Sequence, residues 1–204
     1  MSSEDQNEIK EIKVILIGNS GVGKTNLIRI AVDKGFNELE ESSLTTSFCR
    51  KKITFDNKEY VLNLWDTIGQ ENLRMMNRLF YKSAKIVIFV YDITNKQSFD
   101  DLKYWVNEVN NQIGDDNFVR GIIGNKMDLC ENEEISLDDL DNFATSLNAK
   151  FMRISAKKNE KIKMINFLSK LVNEYLDTYD VTEIQGRITL TTDIKNKKKN
   201  KCCQ

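Results

Sequence analysis

The sequence predicts an α/β fold: a mostly parallel sheet of about six strands, with one antiparallel edge strand and helices on both faces. Short apolar runs alternate with longer amphipathic stretches along most of the chain, the pattern of strands joined by helical crossovers. One run, IVIFVY at 86–91, is apolar throughout, as a strand covered on both faces must be. The runs at 49–55 and 60–65 are separated only by a short segment containing Asp56-Asn57, a turn signal, so those two strands pair as an antiparallel hairpin.

The elements follow in order. Strands are predicted over 13–17, 49–55, 60–65, 86–91, 119–124 and 151–154, and helices over 24–33, 72–82, 99–112, 137–147 and 161–178. The last helix places Ile162, Ile165, Leu168, Leu171, Val172 and Tyr175 at helical spacing, an apolar stripe for the core. The helix of 99–112 is expected to be capped near Ser98. With 204 residues and 23.7 kDa the chain suits one domain and a tail: a loose N-terminus at 1–10, a body at 11–179 and a tail at 180–204.

Composition narrows the function. Residues 181–204 hold six basic and two acidic side chains, a net of +4, leaving −5 on residues 1–180 out of −1 overall. An acidic body with a basic tail does not fit a generic nucleic-acid binder. No apolar run approaches the 18 residues of a membrane span. The polar, acidic start argues against a signal peptide, and four scattered or adjacent cysteines make no disulfide framework, so a cytosolic compartment is expected. There is no histidine, which excludes a histidine base or metal ligand.

Gly18-Asn19-Ser20-Gly21-Val22-Gly23-Lys24-Thr25 fits G-x-x-x-x-G-K-[ST] directly after the first strand and at the start of a helix. Glycines let successive backbone N–H groups turn toward phosphate oxygens, and the helix N-terminus adds its dipole. Lys24 can reach the outer phosphates, and the Thr25 hydroxyl can ligate Mg²⁺. Asn125-Lys126-Met127-Asp128 follows the fifth strand, at a carboxyl end of the sheet, where open α/β folds bind ligands. The Asp128 carboxylate can accept both hydrogens of guanine's N1–H and 2-amino group, a donor pair that adenine lacks. Asn125 can bridge base and phosphate loop, and the Lys126 stem can lie on the purine face. Ser155-Ala156-Lys157 follows the next strand.

These blocks, in this order, resemble the Ras superfamily of small GTPases over about residues 11–178. The resemblance implies the P-loop fold of small G proteins and guanine contacts at Asn125, Lys126, Asp128, Ser155, Ala156 and Lys157. Trp65-Asp66-Thr67-Ile68-Gly69-Gln70-Glu71 looks like a block typical of the Rab branch. It implies that Asp66 holds Mg²⁺ through water, Gly69 N–H meets the γ-phosphate, and Gln70 orients the attacking water. Ile68 stands where alanine is usual, and Leu73 where phenylalanine is.

Counting back 23 residues from Asp66 reaches Ser43, which by the same analogy gives a hydroxyl to Mg²⁺ and an N–H to the γ-phosphate; Phe48 supports the register, and Thr45 or Thr46 is the alternative ligand. Phe36, 12 residues after Lys24, stands where the superfamily keeps a ring against guanine; its other reading is a core or hinge-side phenylalanine. Residues 91–99 also resemble the Rab stretch before the third helix and carry no chemistry in this reading. Cys202-Cys203, behind Lys195, Lys197, Lys198, Lys199 and Lys201, resembles the doubly geranylgeranylated end of Rab proteins; Lys201 at the fourth position from the end excludes a standard C-a-a-X box.

The resemblance therefore implies a slow, Mg²⁺-dependent GTPase cycling between GTP and GDP in vesicular traffic. Its implied partners are an exchange factor, an activating protein, effectors, and prenylation escort and dissociation-inhibitor proteins. It implies a monomer, peripheral on the cytosolic face of a membrane through the lipidated tail. A Ras- or Rho-type signalling GTPase, and a GTP-binding module with negligible hydrolysis, are the alternatives.

Overall fold

The computed structural model describes residues 10–37, 47–55, 58–67, 78–113 and 117–180. The strands are β1 (Lys10–Ile17), β2 (Ser47–Phe55), β3 (Lys58–Asp66), β4 (Ile86–Asp92), β5 (Val119–Asn125) and β6 (Lys150–Arg153). The helices are α1 (Lys24–Ala31), α2 (Arg78–Tyr81), α3 (Lys96–Asp100), α4 (Leu102–Ile113), α5 (Leu137–Ser146) and α6 (Lys161–Tyr175). The strands form one sheet in the order β2-β3-β1-β4-β5-β6. Only the edge strand β2 is antiparallel, paired with β3 from Ser47↔Asp66 to Phe55↔Lys58, while the other pairings are parallel. The predicted fold is the observed one. Of the predicted helix over 72–82, only α2 falls among the described residues, and the turn at 56–57 lies outside them.

The continuous hydrophobicity of β4 has a direct physical reason. Ile86, Ile88 and Val90 join the core cluster with α1 and α6, whereas Val87, Phe89 and Tyr91 join the cluster with α4 and α5. Both faces are covered, so neither set can be polar. Each fully buried Ile, Val or Phe contributes about 1.5–3 kcal/mol relative to an exposed one, so β4 anchors both layers.

Two predicted helices are corrected in detail. The α6 stripe is rotated: Met164 and Phe167 are buried with Leu168, Leu171, Val172 and Tyr175, while Ile162 is 75% exposed and Ile165 only half-buried. Helical spacing alone allows either set, and contact with β5, β4 and β2 selects the observed one. The helix expected from 99 begins instead at Lys96. Its cap is Asn95, not Ser98: the Asn95 side chain accepts from Ser98 N at 3.0 Å. α3 runs on into α4 with one interruption at Asp101, whose backbone is still helical (φ −68°, ψ −13°). No helix among the described residues is long and apolar enough to cross a membrane.

Candidate functional site

The carboxyl ends of β1, β3, β4, β5 and β6 lie on one rim of the sheet, and the motif residues that follow them converge there. Gly18 to Gly23 leave β1 and enter α1. Two of these positions require glycine. A Cβ on Gly18 would stand 2.1 Å from Val90 O, and one on Gly23 would stand 2.3 Å from Asn125 Nδ2. Gly23 also has φ +93°, the left-handed region that costs other L-residues energy.

Lys24 is buried, and its ammonium donates to Gly18 O and Asn19 O, both at 2.9 Å. Burial lowers its pKa to about 8, opposed by the nearby Asp66 carboxylate. Thr25 Oγ1 donates to Asp66 Oδ2 at 2.6 Å. β1–β3 register pairs Leu16 with Asp66, and the Thr67 hydroxyl locks the strand end by donating to Leu16 O at 2.8 Å. A hydroxyl and a carboxylate side by side are hard oxygen donors of the type Mg²⁺ takes, so these residues fit that ion. Ser20 is exposed on the loop and Val22 is buried beneath it.

Asn125, only 2% exposed, ties the two halves of the site together. Its amide donates to Val22 O at 2.9 Å and accepts from Ala156 N at 3.1 Å. Asp128 Oδ1 accepts from the buried Ser155 hydroxyl at 2.5 Å, which orients the carboxylate. Ser155 Oγ in turn accepts from Lys158 N, and Ser155 N donates to Glu160 Oε2 at 2.8 Å. Partial burial pushes the Glu160 carboxyl up, but the Lys163 ammonium and the Ser155 N–H, both bonded to its charged form, hold it below its usual pKa. Lys157 stands exposed beside this turn.

Phe36 is half-buried against the core cluster that contains α1 and α6. Ser43, Thr45, Thr46, Ile68, Gly69, Gln70, Cys202 and Cys203 lie outside the described residues.

The structure adds residues that sequence reading passed over. Asp92, in the stretch expected to carry no chemistry, ion-pairs with Lys126 at 2.7 Å and accepts from Thr94 N and Oγ1. Lys126 has φ +70°, and the pair holds that left-handed residue in place. Asn19 Oδ1 accepts from the buried Trp105 Nε1 at 2.8 Å, and Asn19 Nδ2 donates to Asp101 Oδ2 at 2.6 Å. The phosphate loop is thus fastened to α4. Position at a strand's carboxyl end was the one signal that could have found Asp92; nothing local marks Trp105.

A glycine-bearing loop between β1 and α1, a Thr–Asp pair and a carboxylate beyond a neighbouring strand are the arrangement of the P-loop class. A family model described as "Ras family" matches residues 13–177. The chain is 32% identical over 197 residues to Ras-related protein SEC4 of Saccharomyces cerevisiae, covering 94% of this chain and 91% of that protein. It is 35% identical over 171 residues to Ras-related protein Rab-21 of Homo sapiens (84% and 75% covered). It is 31% identical over 181 residues to Ras-related protein Rab-18 of Caenorhabditis briggsae (89% and 88% covered). The chain belongs to the Ras family of small GTPases and is Rab-like.

Proposed function

We propose that this chain is a Rab-type switch that binds GTP or GDP with Mg²⁺, hydrolyses GTP slowly and regulates vesicular membrane traffic. The observation that carries the reading is Asp128, oriented by Ser155 on the rim that also presents Lys24, Thr25 and Asp66. In this reading Asn19–Thr25 cradle the phosphates, and Asp128 selects guanine with Asn125, Lys126, Ser155, Ala156 and Lys157. Phe36 covers the base edge. Thr25 and Ser43 would hold Mg²⁺ directly and Asp66 through water, and the ion would supply positive charge beside the phosphates. Gly69 N–H meets the γ-phosphate and Gln70 orients the water. Phosphoryl transfer relies on positioning and charge stabilisation, so no strong side-chain base is required.

The body would span 11–179, with the tail of 180–204 as a tether. Geranylgeranyl groups on Cys202 and Cys203 supply two membrane signals where one chain is marginal, and the tail lysines add about 1 kcal/mol each near anionic lipid. An exchange factor, an activating protein, effectors, and escort and dissociation-inhibitor proteins complete the cycle of a monomeric protein working on a cytosolic membrane face.

Nucleotide competition tests the reading. Losing a charge-assisted pair of contacts costs about 3 kcal/mol, so GTP should outcompete ATP by more than a hundredfold. Asp128→Asn should shift preference toward xanthine nucleotides, and Gln70→Leu should bind GTP normally but hydrolyse it more slowly. Equal binding of ATP and GTP by the wild type would sink the assignment.

A further inference from the structure

The edge of the sheet opposite β2 carries a second surface, remote in chain from the phosphate loop. Among the described residues β6 pairs only with β5 and is the last strand of the sheet. Ile154 N donates to Gly124 O at 2.8 Å, so the alternation of a parallel ladder turns the backbone groups of Phe151 and Arg153 away from β5. Beside this edge a cavity of about 500 Å³ opens between β6 and α6. Met152 and Phe167 give it an apolar floor, and every ionisable side chain lining it is cationic: Lys150, Arg153, Lys163 and Lys170.

We propose that the β6 edge and this groove receive an extended acidic peptide segment of a partner protein, which adds to the sheet as a seventh strand. Main-chain hydrogen bonds to Phe151 and Arg153 would supply register-dependent affinity. Acidic side chains at alternate positions would enter the groove and meet Lys163 and Lys170 on α6. Three of the cations already have carboxylate neighbours: Lys150 pairs with Glu174 at 3.2 Å, Arg153 with Glu133, and Lys163 with Glu160. Lys170 makes no ion pair among the described residues and is exposed, so it is the cation first available to an incoming carboxylate. The unpaired strand edge favours a peptide over a lipid headgroup, which has no use for backbone N–H and C=O groups. Lys150 on the strand, still 46% exposed, with Lys170 beside it guards the edge against a second copy, the way natural proteins protect exposed edges. The same two lysines attract an acidic strand.

The test uses the isotopically labelled full chain and two probes, acetyl-(Glu-Val)₄-amide and acetyl-(Lys-Val)₄-amide. The acidic probe should shift the Phe151 and Arg153 amides in NMR spectra and the basic probe should not. A Lys150→Glu/Lys170→Glu variant should bind the acidic probe at least tenfold more weakly while retaining GDP. Absence of shifts along β6 at saturating probe, equal binding of the basic probe, or indifference to the double variant would overturn the proposal. So would phosphatidylserine vesicles that bind the wild type and lose the variant while the acidic probe is silent. Concentration-dependent dimerisation abolished by the same variant, again with a silent probe, would equally overturn it.

Discussion

Trp105 lies on α4, 86 residues from Asn19 in the chain, yet its indole N–H holds the phosphate loop at 2.8 Å. Trp105→Phe deletes that one donor and keeps most of the buried ring. Asn19 is only 8% exposed, so its Oδ1 would lose its protein donor with little water to replace it. Leaving a buried acceptor unpaired costs about 1–3 kcal/mol. The Asp101 contact on Nδ2 remains and limits how far the loop relaxes. If about 1–2 kcal/mol of loop restraint is lost, the binding-competent population falls accordingly, and GDP should dissociate roughly 5–30-fold faster. A fluorescent GDP analogue chased with unlabelled GDP reads this rate directly. Asn19→Ala and the double variant complete a cycle whose coupling energy should be about 1 kcal/mol. Release within twofold of wild type, or strictly additive single effects, would refute the idea that α4 holds the loop ready for nucleotide.

Two other perturbations follow from the same geometry. Gly23→Ala forces a Cβ to 2.3 Å from Asn125 Nδ2 at φ +93°, so strain and the loss of Asn125's contacts should together cost about 3 kcal/mol and weaken GDP about a hundredfold in equilibrium binding. Lys24 has its pKa lowered to about 8 by burial, and phosphate charge should restore its proton on binding. Binding then favours the protonated form, so affinity is full below pH 8 and declines as pH rises through it. Calorimetry in buffers of different ionisation enthalpy should find more proton uptake at pH 8.5 than at pH 7; equal uptake at both would contradict the assignment.

The phosphate loop was legible from eight consecutive residues because its requirements are local: left-handed or crowded backbone at Gly18 and Gly23, then a helix start at Lys24. Asn125 and Asp128 were legible for a related reason, since they sit at the end of a strong apolar strand. Strand direction also followed from pattern, because a hairpin joins antiparallel neighbours and the remaining crossovers are long, whereas the order β2-β3-β1-β4-β5-β6 came only from the structure. The α6 stripe was read correctly at Leu168, Leu171, Val172 and Tyr175 and missed at its edge, where Met164 and Phe167 are buried in place of Ile162 and Ile165, since helical periodicity states that a face exists and not which edge of it meets β5. The α3 start was misplaced because Asn95 and Ser98 are both good caps, and only backbone geometry chooses Asn95.

What the linear sequence determined by itself was therefore the set of strands, the glycine-bearing turn between β1 and α1, and the chemical identity of the groups offered at the carboxyl rim of the sheet. Those properties depend on side-chain type and on neighbours a few residues away. Tertiary structure alone decided that Trp105 and Asp101 grip Asn19, that Asp92 restrains Lys126, and that Glu160 and Ser155 aim Asp128. These partners come from separate elements, and their hydrogen bonds require distances near 3 Å. Only the register of parallel strands and the packing of helices on both faces bring such distant positions that close.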